Sequence, residues 1–206
     1  PPLRRHPPAF GIDRRMALLD DGVRLEPGLR EEALALRFGL IQSMGEEAER
    51  LPVVVDEVLA DPALLAELVA CYRSEDAVVR LRVSSAVKRV AQQRPAWVAA
   101  HLDDLLGWVA QIDQASTKWT LSTIFVLLDA HMTPPQRDAA IALMQANLHY
   151  DDWIVQNTTA ESLAHYGRQR PELAAWLVPE LRTLTMSRHK SVRHRAQKLL
   201  TSLGAP

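Results

Sequence analysis

One apolar pattern recurs four times in this chain, and it limits the fold more tightly than any other feature. Val79 has counterparts at Thr117, Val155 and Val192, separated by steps of 38, 38 and 37 residues. The match extends along each copy. Val83 aligns with Leu121, Thr159 and Ala196; Val87 with Phe125, Leu163 and Leu200; Val90 with Leu128, Tyr166 and Leu203. Relative to Val79 these positions are i+4, i+8 and i+11, which fall on one face of an α-helix. The segments in between keep the same register: Leu64 aligns with Leu102, Ala140 and Leu177, and Leu68 with Leu106, Met144 and Leu181. Even the punctuation repeats, since Gln93-Arg94-Pro95 returns as Gln169-Arg170-Pro171.

The spacing predicts four helix pairs: Pro62–Arg73 with Ala77–Gln93, Pro95–Ala110 with Ser116–Ala130, Pro134–Leu148 with Asp152–Gly167, and Pro171–Thr185 with Ser191–Leu203. Asp61 and Asp76 stand where helix N-caps are needed, and prolines stand in first turns, where a missing amide costs nothing. Ahead of the pairs, Leu29–Met44 and Pro52–Ala60 read as further helices. Residues 1–28 lie outside the pattern. PPLRRHPPAFG and the turn signals after it predict an extended Pro/Arg-rich arm, leaving residues 29–206 as the repeat domain. One such pair cannot bury its apolar stripe alone. Stacking neighbours buries it in a continuous core, which makes the expected fold an all-α solenoid.

The second helices resemble the HEAT signature: an aspartate in the turn, Val-Arg, a small residue, then an aliphatic pair. Asp76, Val79-Arg80 and Ala86-Val87 carry it, as do Val192-Arg193, Ala196 and Leu199-Leu200. Asp152, Val155-Gln156 and Leu163 match in part, and Thr117-Lys118, Leu121 and Phe125 match in pattern. The resemblance covers roughly residues 50–203 and implies a right-handed superhelix of four to five compact pairs. It implies no particular activity. The function expected from it is a non-catalytic scaffold with a protein partner on its concave face.

Composition narrows the rest. Ala, Leu, Val and Arg dominate and glycine is scarce, which favours helix. No run of apolar residues is long enough to span a bilayer, and no secretory signal is evident. The lone Cys71 lies at an apolar helix position and fits a reducing cytoplasm. Charge is uneven: Arg168–Pro206 carries +6 and the remainder −7.

Two groups of side chains stand out as binding candidates. The residues after each motif position form a row, Arg80, Lys118, Gln156 and Arg193. In a HEAT-like solenoid this row lies on the second helices. It reads either as a contact strip for an acidic partner or as a structural ladder of arginines on turn aspartates. The second group is the cluster Arg188, His189, Lys190, Arg193, His194, Arg195 and Lys198. Near a helix N-terminus it could meet phosphate or nucleic acid, or simply solvate the end of the array. HEAT-like DNA alkylation-repair glycosylases offer an enzymatic alternative, for which Trp119, Trp153 and Asp152 are the nearest candidates. No catalytic residue, cofactor or metal is assigned: the chain has no H-E-x-x-H, no Gly-rich phosphate loop, no G-x-S-x-G and no histidines at ligand spacing.

Overall fold

The computed structural model describes residues 47–205; the arm 1–28 and the helix expected over Leu29–Met44 lie outside the described residues. Within them the chain is all-helical, with no strand. The helices are α1 (Glu47–Ala60), α2 (Leu64–Ala70), α3 (Ala77–Gln93), α4 (Pro95–Ala99), α5 (Leu102–Leu106), α6 (Ala115–Leu127), α7 (Pro134–Asn147), α8 (Trp153–Gly167), α9 (Pro171–Leu184) and α10 (Lys190–Ser202). Short 3₁₀ turns follow α2 (Cys71–Arg73), α5 (Val109–Gln111) and α6 (Asp129–His131).

Helices α1, α3, α6, α8 and α10 pack side by side in that order; α2, α4, α7 and α9 lie against this layer, and α5 packs on α7. The repeating stripe is what the layer buries. Val79, Val83, Val87 and Val90 have no exposed surface, and Thr117, Phe125, Leu128, Val155, Thr159, Leu163, Val192 and Ala196 are at most 1% exposed. Each large aliphatic or aromatic side chain removed from water in this way contributes roughly 1.5–3 kcal/mol. The aligned first-helix positions Leu68, Leu102, Ala140, Met144, Leu177 and Leu181 are buried too. Cys71 is buried and forms no disulfide, as an apolar position implies.

Local chemistry starts and stops these helices as the sequence suggests. The Asp76 carboxylate accepts the Val78 amide at 2.7 Å. Asp152 accepts the amides of Ile154 and Val155 at 2.8 and 3.0 Å. Thr133 and Gln136 close a reciprocal capping box ahead of α7. At Asp61 the side chain accepts the Ala63 amide at 3.1 Å, inside the turn that precedes α2.

Several boundaries differ from expectation. The helix expected over Pro62–Arg73 with Asp61 as its N-cap is α2, Leu64–Ala70, with Ala63 as N-cap and no side-chain cap, followed by the 3₁₀ turn. Helix α1 begins at Glu47 and carries Pro52 inside it, so Pro52 is not in the first turn. The single helix expected over Pro95–Ala110 is broken into α4, α5 and a 3₁₀ turn. Asp103 and Asp104 occupy the first turn of α5, where a helix N-terminus favours carboxylates. Gly107 ends α5, in a conformation where a Cβ would lie 2.7 Å from the Asp103 carbonyl oxygen. Val98, Leu102, Leu105 and Val109 stay buried across the breaks, so the apolar period survives although the helix does not. No described helix is long and apolar enough to cross a membrane.

Candidate functional site

The row after the motif positions is occupied by the turns. Arg80 donates from one Nη to the Ser74 carbonyl at 2.6 Å and from Nε to Gln114 Oε1 at 2.7 Å. Gln114 in turn donates to the Ala77 carbonyl at 2.9 Å, so the side chain before α6 is stitched to the start of α3. Gln156 donates to the Tyr150 carbonyl at 3.1 Å, and Arg193 to the Ser187 carbonyl at 2.7 Å. Arg80, Gln156 and Arg193 thus each hold the carbonyl six residues earlier. Lys118 pairs instead with Asp113 at 3.8 Å and lies over the Tyr150 ring at 5.1 Å. The ladder expected from arginine–aspartate pairs is therefore built mainly on backbone carbonyls. The reason is geometric: the turn aspartates Asp76 and Asp152 already cap their own helices.

The basic cluster is partly neutralised. Arg188 reaches Asp151 at 3.0 Å and also donates to His189 at 3.1 Å. Arg195 reaches Glu161 at 2.9 Å, and Arg193 holds the turn. Lys190, His194 and Lys198 are exposed, and their side chains have no ion pair or hydrogen bond among the described residues. Of the residues named for glycosylase chemistry, Asp152 caps α8, Trp153 is 45% exposed at the same helix start, and Trp119 is half-buried on α6. Among the described residues no group of His, Cys, Asp and Glu is arranged to hold a metal ion.

Among the described residues, one concavity lies on the face of the second-helix layer. A trough of 340 Å³ is lined by Thr123 and Val126 of α6, Thr158, Glu161, Ser162 and His165 of α8 with Arg168 just beyond its end, and Leu199 of α10. Positions 158, 161, 165 and 168 are three or four apart, a stripe along one side of α8 that the neighbouring position 162 widens. Helices α6 and α10 flank it because both pack on α8. The trough is mixed in character: hydroxyls along it, Val126 and Leu199 as apolar walls, charges towards its rim.

Those charges are organised. Glu161 pairs with Arg195. His165 Nε2 faces Asp129 Oδ2 at 3.5 Å, and the other Asp129 oxygen takes the Arg137 Nε–H. A second Arg137 nitrogen donates to the Asp129 carbonyl at 2.8 Å, which fixes the 3₁₀ turn after α6 against α7. Beside this group the Tyr166 ring stands edge-on to His165, with centroids 5.2 Å apart. Burial, and secondarily the Asp129 charge, push the Tyr166 phenol above its usual range.

None of the four row positions and none of the basic cluster lines the trough. Reading the motif residues pointed to the turn edge, whereas the exposed side of α8 is set by residues between the motif positions. The signal available in sequence was the polar stripe Thr158, Glu161, Ser162, His165 and Arg168, at helical spacing beside the buried stripe.

No family model matches this sequence, and no curated protein matches it. Four solved chains do match in structure. One is the crystal structure of an engineered protein, with a TM-score of 0.56 and 16% identity over 95% of this chain and 87% of that one. That likeness extends to the helical fold alone.

Proposed function

We propose that this chain is a HEAT-like α-solenoid, a right-handed superhelix of four to five helix pairs, and that it acts as a non-catalytic protein-interaction scaffold. The observation that carries this reading is the trough across α6, α8 and α10, which offers hydroxyls, apolar walls and charge on a rigid helical layer. The motif row supports it indirectly, because side chains that hold the turns keep that layer in register.

The test is site-specific photocrosslinking. Benzoylphenylalanine in place of Val126 or Thr158 should give adducts with a partner that is then identified and shown to rebind as a purified protein. The same group in place of Ala139, exposed on α7, should give none. Equal labelling from both positions would remove the assignment to this face. Turnover of a substrate that requires trough residues would replace the scaffold with an enzyme.

A second reading, nucleic-acid or phosphate binding, rests on Lys190, His194 and Lys198, exposed and unpaired among the described residues. It requires retention on DNA or RNA that weakens steeply with salt and disappears when Lys190 and Lys198 become Ala.

A further inference from the structure

The trough has one unengaged formal charge. Glu161 is offset by Arg195 at 2.9 Å, and His165 faces Asp129, itself held by Arg137. Arg168 is exposed, and its guanidinium has no ion pair or hydrogen bond among the described residues. A free guanidinium at the end of a trough is a fork-shaped site for a single carboxylate, which it can bind through two parallel N–H donors. Val126 and Leu199 supply an aliphatic surface in the same trough. The Thr123 hydroxyl gives its proton to the Trp119 carbonyl at 3.3 Å, so its lone pairs are left to accept a ligand N–H. The volume of 340 Å³ lies at the small end of ligand pockets, which suits the end of a chain better than a segment running through.

We propose that the trough receives the C-terminus of a partner polypeptide, with its carboxylate on Arg168 and its last, aliphatic side chain between Val126 and Leu199. This rests on the scaffold reading and narrows it to one kind of partner. An internal acidic segment would present a carboxylate too, but it would have to carry chain out of both ends of a short trough.

Fluorescence polarisation on the full chain tests this with three dye-labelled pentapeptides. One ends in leucine with a free carboxylate, one is the same peptide amidated, and one is amidated with glutamate beside the leucine. The free carboxylate should bind at least about tenfold more tightly than either amidated peptide. Arg168→Gln should bring it down to the amidated level. Arg182→Gln, an exposed cation on α9 outside the trough, should leave it unchanged, and Thr158→Phe should block it. Circular dichroism confirms that each variant keeps its helices. Equal binding of the free and amidated leucine peptides, or no binding of any, overturns the proposal. Equal binding of the glutamate peptide overturns the chain-end assignment. If Val126 crosslinks persist while every peptide fails, the scaffold reading stands and this one falls; if both fail, both fall.

Discussion

The Tyr166 hydroxyl on α8 donates to the Phe125 carbonyl oxygen on α6 at 2.8 Å, joining two neighbouring second helices through a buried bond. Phe125 lies in the last turn of α6, where a helix leaves carbonyls without an internal donor. Tyr72 makes the opposite case. Its ring is buried in the 3₁₀ turn that packs on α3, and its hydroxyl meets no hydrogen-bond criterion with any described residue. Tyr166→Phe should therefore destabilise the protein by about 1–3 kcal/mol, since it strands a buried acceptor. Tyr72→Phe should be neutral or stabilising. Urea denaturation of the two variants measures both, and a larger loss for Tyr72→Phe would reverse the assignment.

The same two phenols set a response to alkaline pH. Burial raises both above the ordinary value, which the unfolded chain keeps near 10. Below that pH both states hold the proton, and neither tyrosine affects stability. Above it the unfolded chain ionises while the folded one does not, so the folded state binds more protons and stability falls as pH rises. The slope is up to about 1.4 kcal/mol per pH unit for each phenol. Denaturation between pH 8 and 11 should show Tyr72→Phe and Tyr166→Phe each losing less than the parent over the upper part of the range. Parallel curves would contradict this.

What was legible in the sequence, and what was not, follows from how each feature is encoded. Burial of the aligned stripe was legible because a helix repeats its face at fixed spacing; Val79, Val83, Val87 and Val90 are all fully buried. Caps were legible at Asp76 and Asp152, because a short carboxylate can reach only its own first turn. The role of Arg80 was half legible. Its repeated spacing marked a row, but a long side chain can choose between a carboxylate and a carbonyl, and only the fold decides. The trough was not legible, because it depends on how far α6 and α10 stand apart across α8. The break at Gly107 was hidden by an apolar period that runs through it.

The Arg80–Gln114 bond gives the row a measurable coupling. Arg80→Met removes a charge-assisted bond to the Ser74 carbonyl and another to Gln114, and should cost roughly 1.5–3 kcal/mol. Arg80→Lys should recover little of this, since a single ammonium cannot reproduce the fork. A double-mutant cycle with Gln114→Ala should give a coupling of about 0.5–1.5 kcal/mol. Additive effects would mean that the two turns are held independently.

Asp152 separates a structural role from a catalytic one. As the N-cap of α8 it accepts two backbone amides, so Asp152→Ala should cost about 1 kcal/mol. Asp152→Asn should be nearly neutral, because asparagine caps as well as aspartate. Release of free base from alkylated DNA that vanishes in Asp152→Asn while stability is kept would instead support the glycosylase reading.

Two glycines should respond in opposite directions to the same added methyl group. Gly107 ends α5 at φ −86° and ψ −109°, and a Cβ there would lie 2.7 Å from the Asp103 carbonyl oxygen. That oxygen also accepts the Gly107 amide at 2.9 Å, so it cannot move away without loosening the turn it closes. Gly107→Ala should destabilise by about 1–3 kcal/mol, the range for forcing backbone into a crowded conformation. Gly167 is the last residue of α8, and its added Cβ would meet Ala174 no closer than 3.6 Å, an ordinary contact. Alanine there narrows the unfolded ensemble and fills space against α9, so Gly167→Ala should stabilise by about 0.5 kcal/mol. Thermal melts of both variants decide it. If Gly107→Ala melts no lower than the parent, the interruption of the expected Pro95–Ala110 helix is not held by this close approach, and the segment has another reason to break.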